Sequence, residues 1–320
     1  MLRSDSDYST IYNALSFVMA GMMASTIYFF FHAHLVHPRY RTALCISGLV
    51  TLIAFYHYFR IFNSFVDAYD FDPVTDKSTE YTVHASGKAF NGAPLPARRS
   101  PGSPRCRLLL TATPFLLADA YRYMDWLLTV PLLLVELLLV MDLDKATEAA
   151  LSMKLGFAAA LMIVLGYPGE ITLDHGTRWL FWFLAMLPFC YIVFTLFVGL
   201  KDAVEKQTEG ARDLVSMARY ITVISWCTYP IVYILPMLGM DSGTSALVGI
   251  QVGYSCSDFI SKCVVGWMVT RIAMAKSKGM GDSVNAGLLN GKATSRTDVE
   301  FQPVPNRDSV ESEPEPDKGV

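Results

Sequence analysis

Charge is scarce in this sequence, and so are the residues that build most metal and redox centres. Asp, Glu, Lys and Arg make up 17% of the 320 residues, and the formal net charge is −3. So small a balance gives no sign of a nucleic-acid partner. There are 6 cysteines. Cys45, Cys190, Cys227, Cys256 and Cys263 lie in apolar runs and Cys106 in a long polar connection, with no CxxC or CxxxH spacing among them. That pattern supports neither a disulfide framework nor a metal site. The opening "MLRSDSDYST" has no n-region followed by an h-region, so no cleaved signal peptide is expected and the first apolar run has to direct insertion itself. The apolar runs also lack the period-2 alternation of a lipid-facing barrel.

Long hydrophobic runs, by contrast, are abundant, within a composition that is 52% hydrophobic. Seven segments reach the roughly 20 mostly apolar residues that a helix needs to cross a bilayer. They lie at approximately 11–36, 42–66, 119–141, 148–167, 178–200, 214–238 and 244–275. The fold class expected is an all-α membrane protein, a seven-transmembrane-helix bundle. Short connections such as "MDLDKATE" and "GMDSG" favour antiparallel neighbours. Arg39, Arg41, Lys201, Lys206, Arg212, Arg271, Lys276 and Lys278 gather at one end. The positive-inside rule therefore puts the C-terminus in the cytoplasm and residues 1–10 outside. An extracellular insertion occupies 67–118. It holds a hairpin signal, "STEYTVHASGKAFN", and then an arginine- and proline-rich stretch at 92–118. Residues 277–320 have the composition of a disordered tail.

Hydrocarbon is a poor solvent for ions, yet the spans contain His57, Arg122, Asp125, Glu136, Asp258 and Lys262. Ionisable residues at such depths usually face the bundle interior and serve a pathway or a counter-ion. Structural ion pairs or snorkelling are the plainer alternatives, and snorkelling suits Arg122 and, less well, Glu136. Asp125 and Thr129 are four apart and share a face. Asp125 and Glu136 are eleven apart, which returns almost to that face after a rise of roughly 16 Å. Two acids so aligned suit a proton relay. Asp258 and Lys262, again four apart, share a face of the seventh span. A desolvated lysine is an amine nucleophile for a Schiff base. Trp126, Trp182, Trp226, Tyr229 and Tyr233 could line a slot for a flat apolar cofactor beside it.

The stretches "RYMDWLLTVPLLLVE" and "SDFISKCVVG" resemble helices three and seven of the microbial rhodopsins, in particular the proteorhodopsin-like proton pumps. "SWCTYPIVY" is similar to their sixth helix and "GLVTLIAFYHYFR" to their second. The resemblance runs roughly from Asn13 to Lys276. It implies all-trans retinal on Lys262 as a protonated Schiff base. Asp125 is then the proton acceptor and counter-ion, Asp258 the second counter-ion, and Arg122 the arginine beneath them. Glu136 takes the proton donor's place, and Asp125, Thr129 and Glu136 match the pattern of outward proton pumps. His57 matches a histidine that hydrogen-bonds the acceptor. Trp126, Trp182, Trp226, Tyr229 and Pro230 match the retinal cage. Tyr233 stands where many relatives have tryptophan, Leu133 matches a colour-tuning position that goes with green absorption, and Gly166 the glycine near the ionone ring. Ile250 stands where some relatives carry a proton-releasing glutamate. Protons and the lipid bilayer are the partners implied, together with a homo-oligomer and a carotenoid antenna. The host membrane is the plasma membrane or an endomembrane.

The function expected is a light-driven outward proton pump that absorbs green light, an ion transporter and not an enzyme. One alternative is a photosensory rhodopsin signalling through its cytoplasmic tail, against which Glu136 argues. A seven-helix receptor for a chemical ligand is another, and it gives no reason for Lys262 beside Asp258.

Overall fold

The computed structural model describes residues 5–68, 120–172, 174–238 and 244–289. The hairpin signal, the arginine-rich stretch and the tail beyond 289 lie outside the described residues. Seven helical rods make up an all-α transmembrane bundle: α1 (Asp5–Ala33), α2 (Pro38–Ala68), α3 (Ala120–Leu139), α4 (Lys145–Glu170), α5 (His175–Phe194), α6 (Glu209–Ile234) and α7. A π-helical turn, Thr195–Gly199, prolongs α5, and a short helix, Lys201–Glu205, leads on towards α6. α7 consists of Thr244–Asp258, a π-helical turn at Phe259–Val264, and Val265–Leu289.

Helices extend beyond the apolar runs that announce them, because hydropathy registers only the part that suits hydrocarbon. Pro38 starts α2 within "HPRYR", a stretch expected to be a loop. Its missing N–H is no loss in a first turn, where that donor has no intrahelical partner. α7 likewise stays helical past Gly279 to Leu289. The compact units of the chain are Met1–Ser277 and Lys278–Val320. Asp144 and Asp174 cap α4 and α5, accepting from the amides of Thr147 and Thr177 at 2.9 Å and 2.6 Å. Hydrogen bonds from those threonines hold both carboxyls below the usual range.

Five rods are long and apolar enough to span on composition alone, and α3 and α7 are not among them. α3 carries Arg122, Asp125 and Glu136, all three buried, so its ions are hidden while the outside of the bundle stays apolar. Phe17, Phe31, Phe157 and Leu187 stand exposed on that outside, as a lipid-facing surface requires. Within the bundle, Ile11, Leu15, Val18 and Met22 of α1 recur at helical spacing and pack on Ala54, Tyr58, Ile61 and Phe65 of α2. Cys263 of α7 closes this cluster one residue after Lys262.

Close approach of α7 to α1 depends on Gly266, where a Cβ would come within 2.6 Å of the ring of the fully buried Phe29. Gly266→Val should lower stability by about 1–3 kcal/mol through overpacking. Gly249→Ala, where the nearest atom would be 3.9 Å away, should leave it unchanged or raise it. Thermal denaturation followed by circular dichroism in detergent compares the two, and equal melting temperatures would contradict this packing.

Candidate functional site

The π-helical turn of α7 contains Ser261, Lys262 and Cys263, all buried. π-helical turns are rare and concentrate at functional sites. Lys262 Nζ lies 2.5 Å from Asp258 Oδ1, one turn back on the same rod, and 3.1 Å from Asp125 Oδ2 on α3. The two carboxylates are held differently. Asp258 accepts from Tyr58 Oη at 2.6 Å, Tyr229 Oη at 2.8 Å and Trp126 Nε1 at 3.0 Å. Asp125 accepts no hydrogen bond on either oxygen, and its contact is the ion pair with Lys262.

Arg122 is fully buried and does not snorkel. Its guanidinium donates to Gln251 Oε1 at 2.8 Å and Ser255 Oγ at 3.4 Å, and it lies over the rings of Tyr58 and Tyr254. Lys262 and Arg122 thus lie with Asp125 and Asp258, two formal charges of each sign in one buried region. The carboxyl of Glu136 is also wholly buried, so it does not snorkel either, and the Ser47 hydroxyl of α2 stands beside it. Thr129 shares the Asp125 face, but its hydroxyl donates to the Asp125 backbone carbonyl at 2.8 Å.

His57 departs from the expected hydrogen bond to Asp125. Its Nδ1 donates to the Ile53 carbonyl at 2.9 Å and stands 3.9 Å from Asp125 Oδ1. The carbonyl one turn back on the same helix is the nearer acceptor, and the longer distance is beyond hydrogen-bonding range. His57 therefore faces the acid without bonding to it.

A cavity with about 680 Å³ of atom-free space, counted out to its open mouth, lies among α3, α4, α5, α6 and α7. Trp126, Trp182, Trp226, Tyr229 and Tyr233 of the aromatic pattern all line it, as do Gly166 and Pro230, which the family resemblance implied. Trp126 and Tyr229 line the cavity and also donate to Asp258, so its inner end adjoins the lysine pair. Gly166 leaves room for the Tyr123 hydroxyl, which would stand 3.3 Å from a Cβ there. The Tyr233 hydroxyl donates to the Gly166 carbonyl at 3.2 Å, tying α6 to α4. Leu133 is buried on α3 but is not part of the wall, whereas Val130 is.

Sequence reasoning missed Tyr58, Gln251, Ser255 and Tyr254, which complete the polar network. A signal for two of them was present, because Gln251, Ser255, Asp258 and Lys262 form one stripe along α7 at three- and four-residue spacing. Tyr123, Met162, Met186 and Phe189 also line the cavity and were not singled out. In sequence they are indistinguishable from ordinary apolar packing.

Comparison with known proteins accords with this geometry. A family model described as "Bacteriorhodopsin-like protein" matches residues 10–276. The green-light absorbing proteorhodopsin of Gamma-proteobacterium EBAC31A08 is 27% identical over 269 residues, covering 83% of this chain and 88% of that protein. Among solved structures, xanthorhodopsin, described as a light-driven ion pump with dual chromophore, superposes with a TM-score of 0.74. It is 39% identical, over 87% of this chain and 97% of its own. Thermophilic rhodopsin also has a TM-score of 0.74, at 38% identity over 88% of this chain and all (100%) of its own. The chain belongs to the bacteriorhodopsin-like family, the microbial (type 1) rhodopsins, which are integral multi-pass membrane proteins that carry retinal.

Proposed function

We propose that this protein is a light-driven outward proton pump, a transporter and not an enzyme. The observation that carries this reading is Lys262 clamped between two unlike carboxylates beside an aromatic cavity, with a third buried carboxyl further along α3. The names of the relatives, a green-light absorbing proteorhodopsin and a light-driven ion pump, support it.

The cavity suits a long, flat, apolar chromophore. Indole and phenol rings wall it, and a buried amine stands beside its inner end. Lys262 Nζ would hold retinal as a protonated Schiff base, and the bound chromophore would supply absorption of visible light and a light-driven change of shape. Asp125 and Asp258 neutralise the positive charge on that nitrogen. Asp125 is the acceptor, because nothing else satisfies its carboxylate and a proton would cost it no existing hydrogen bond. Asp258 stays ionised, since protonation would discard favourable contacts with three donors. Arg122, held by Gln251 and Ser255, keeps a positive charge beyond Asp125 on the outer side. Glu136, wholly buried with the Ser47 hydroxyl beside it and no ion pair among the described residues, holds a proton and would return it to the nitrogen from the cytoplasmic side. Thr129 lies on the helix face between the two acids, and His57 faces Asp125 across from α2.

The N-terminus is outside and the C-terminus cytoplasmic. Arg39 and Lys276, two of the cations assigned to that side, meet at Asp142, which supports grouping their segments at one end. Leu133 and the proteorhodopsin likeness support green absorption. A homo-oligomer and a carotenoid antenna rest on the likeness to xanthorhodopsin, whose structure has a dual chromophore. A plasma membrane or an endomembrane is the site of action.

Adding all-trans retinal to the expressed protein should produce a visible band that Lys262→Ala lacks. A colourless wild type with its helices intact would end this reading. Illuminated vesicles should change the pH of the medium in a way that a protonophore abolishes; a coloured protein giving no such change would point to a sensor. Asp125→Asn should abolish transport and shift absorption to the red, and transport like that of the wild type would remove Asp125 from the acceptor role. Glu136→Gln should slow late photocycle recovery by about 10²-fold, with rescue by azide. An unchanged decay would take Glu136 out of the relay.

A further inference from the structure

Three residues past the end of α3 the backbone makes an unusual turn. Asp142 has φ 56°, and it is alone among the described residues other than glycine in having positive φ. Its side chain is gripped from two other rods. Tyr40 Oη donates to Oδ1 at 2.8 Å and Arg39 Nε lies 3.1 Å from the same oxygen, while Lys276 Nζ donates to Oδ2 at 2.6 Å. The two carbonyls before it are held as well. Lys276 Nζ reaches Val140 O at 2.6 Å, and Gln207 Nε2 donates to Met141 O at 2.7 Å. The donors come from α2, from the segment between α5 and α6, and from α7, and all converge on the α3–α4 turn.

A five-residue connection between antiparallel helices needs no such convergence. What distinguishes this one is its position. Glu136 lies in the last turn of α3, and the turn held down begins at Val140, four residues on. Val140, Met141 and Tyr40 are all buried, so the clamped turn sets apolar side chains between the carboxyl and that end of the bundle. Several of the bonds that hold this turn are charge-assisted, the stronger kind.

We propose that Asp142 is a positioning residue for proton uptake. With Arg39, Tyr40, Gln207 and Lys276 it latches the α3–α4 turn over Glu136, and release of this latch sets the rate at which Glu136 regains a proton. The proposal rests on the pump reading above for the role of Glu136, while the latch itself is a feature of the fold.

Asp142→Asn is the informative variant, because asparagine tolerates positive φ and keeps the shape while losing the charge. Flash experiments with a pH-indicator dye should find proton uptake about tenfold faster, the factor expected from losing one charge-assisted hydrogen bond. Proton transfer to Asp125 should keep its rate. Lys276→Gln should act in the same way, and the double variant should exceed neither single one. Hydrogen–deuterium exchange in the dark should be faster at 140–144 in both variants. Unchanged uptake overturns the proposal, as does slower uptake, which would make Asp142 a collector of protons. Unchanged exchange at the turn overturns it too. If the wild type moves no protons in light, the pump reading fails, and the exchange comparison still judges the latch by itself.

Discussion

A positive nitrogen inside a bilayer is stable only where carboxylates and donors replace the water it has lost, and the bundle is arranged around that requirement at Lys262. Asp258 comes from the same rod, one turn away, and Asp125 from α3. Tyr58, Trp126 and Tyr229, on α2, α3 and α6, then satisfy Asp258. Four rods therefore depend on one ammonium group. Arg122 brings a second cation, and the formal charges of the four ions cancel. Such a set tolerates the removal of one member poorly, because each loss strands an opposite charge in a dry region.

The difference between the acids gives the site its direction. Asp258 accepts from three donors, Asp125 is paired with Lys262, and Glu136 has the Ser47 hydroxyl beside it and no ion pair among the described residues. In the proposed pump, a proton leaving the nitrogen would pass to Asp125, the less tightly held of the two carboxylates. Glu136, further along α3, lies behind apolar side chains under the turn gripped by Arg39, Tyr40, Gln207 and Lys276. Identical functional groups on one helix acquire different tasks from what surrounds them.

Much of this was legible in the residue order. Continuous apolar runs identified the rods, because a bilayer leaves the backbone little alternative to helix. Fixed helical spacing put Asp258 beside Lys262, and Asp125 and Thr129 on one face. The ends of the rods were less legible, since Pro38–Arg41 and residues 280–289 are helical though they lie outside the apolar runs. His57 was placed correctly opposite Asp125, but its hydrogen bond goes to Ile53. Competition between a local carbonyl and a distant carboxylate is decided by fractions of an ångström. Leu133 was assigned to the cavity, and Val130, one turn earlier, is what lines it.

By itself the sequence determined which segments enter the membrane, which ionisable groups go with them, and which of those share a helix face. Helical period and the cost of bare charge in hydrocarbon are local rules, and they need no knowledge of neighbours. Only the tertiary structure decided that Tyr58 completes the shell of Asp258, that Gln251 and Ser255 hold Arg122, and that Arg39 and Lys276 meet at Asp142. Those pairings join residues from about one hundred to two hundred positions apart, through hydrogen bonds and ion pairs whose length depends on how the rods pack. No spacing within a single helix encodes that packing.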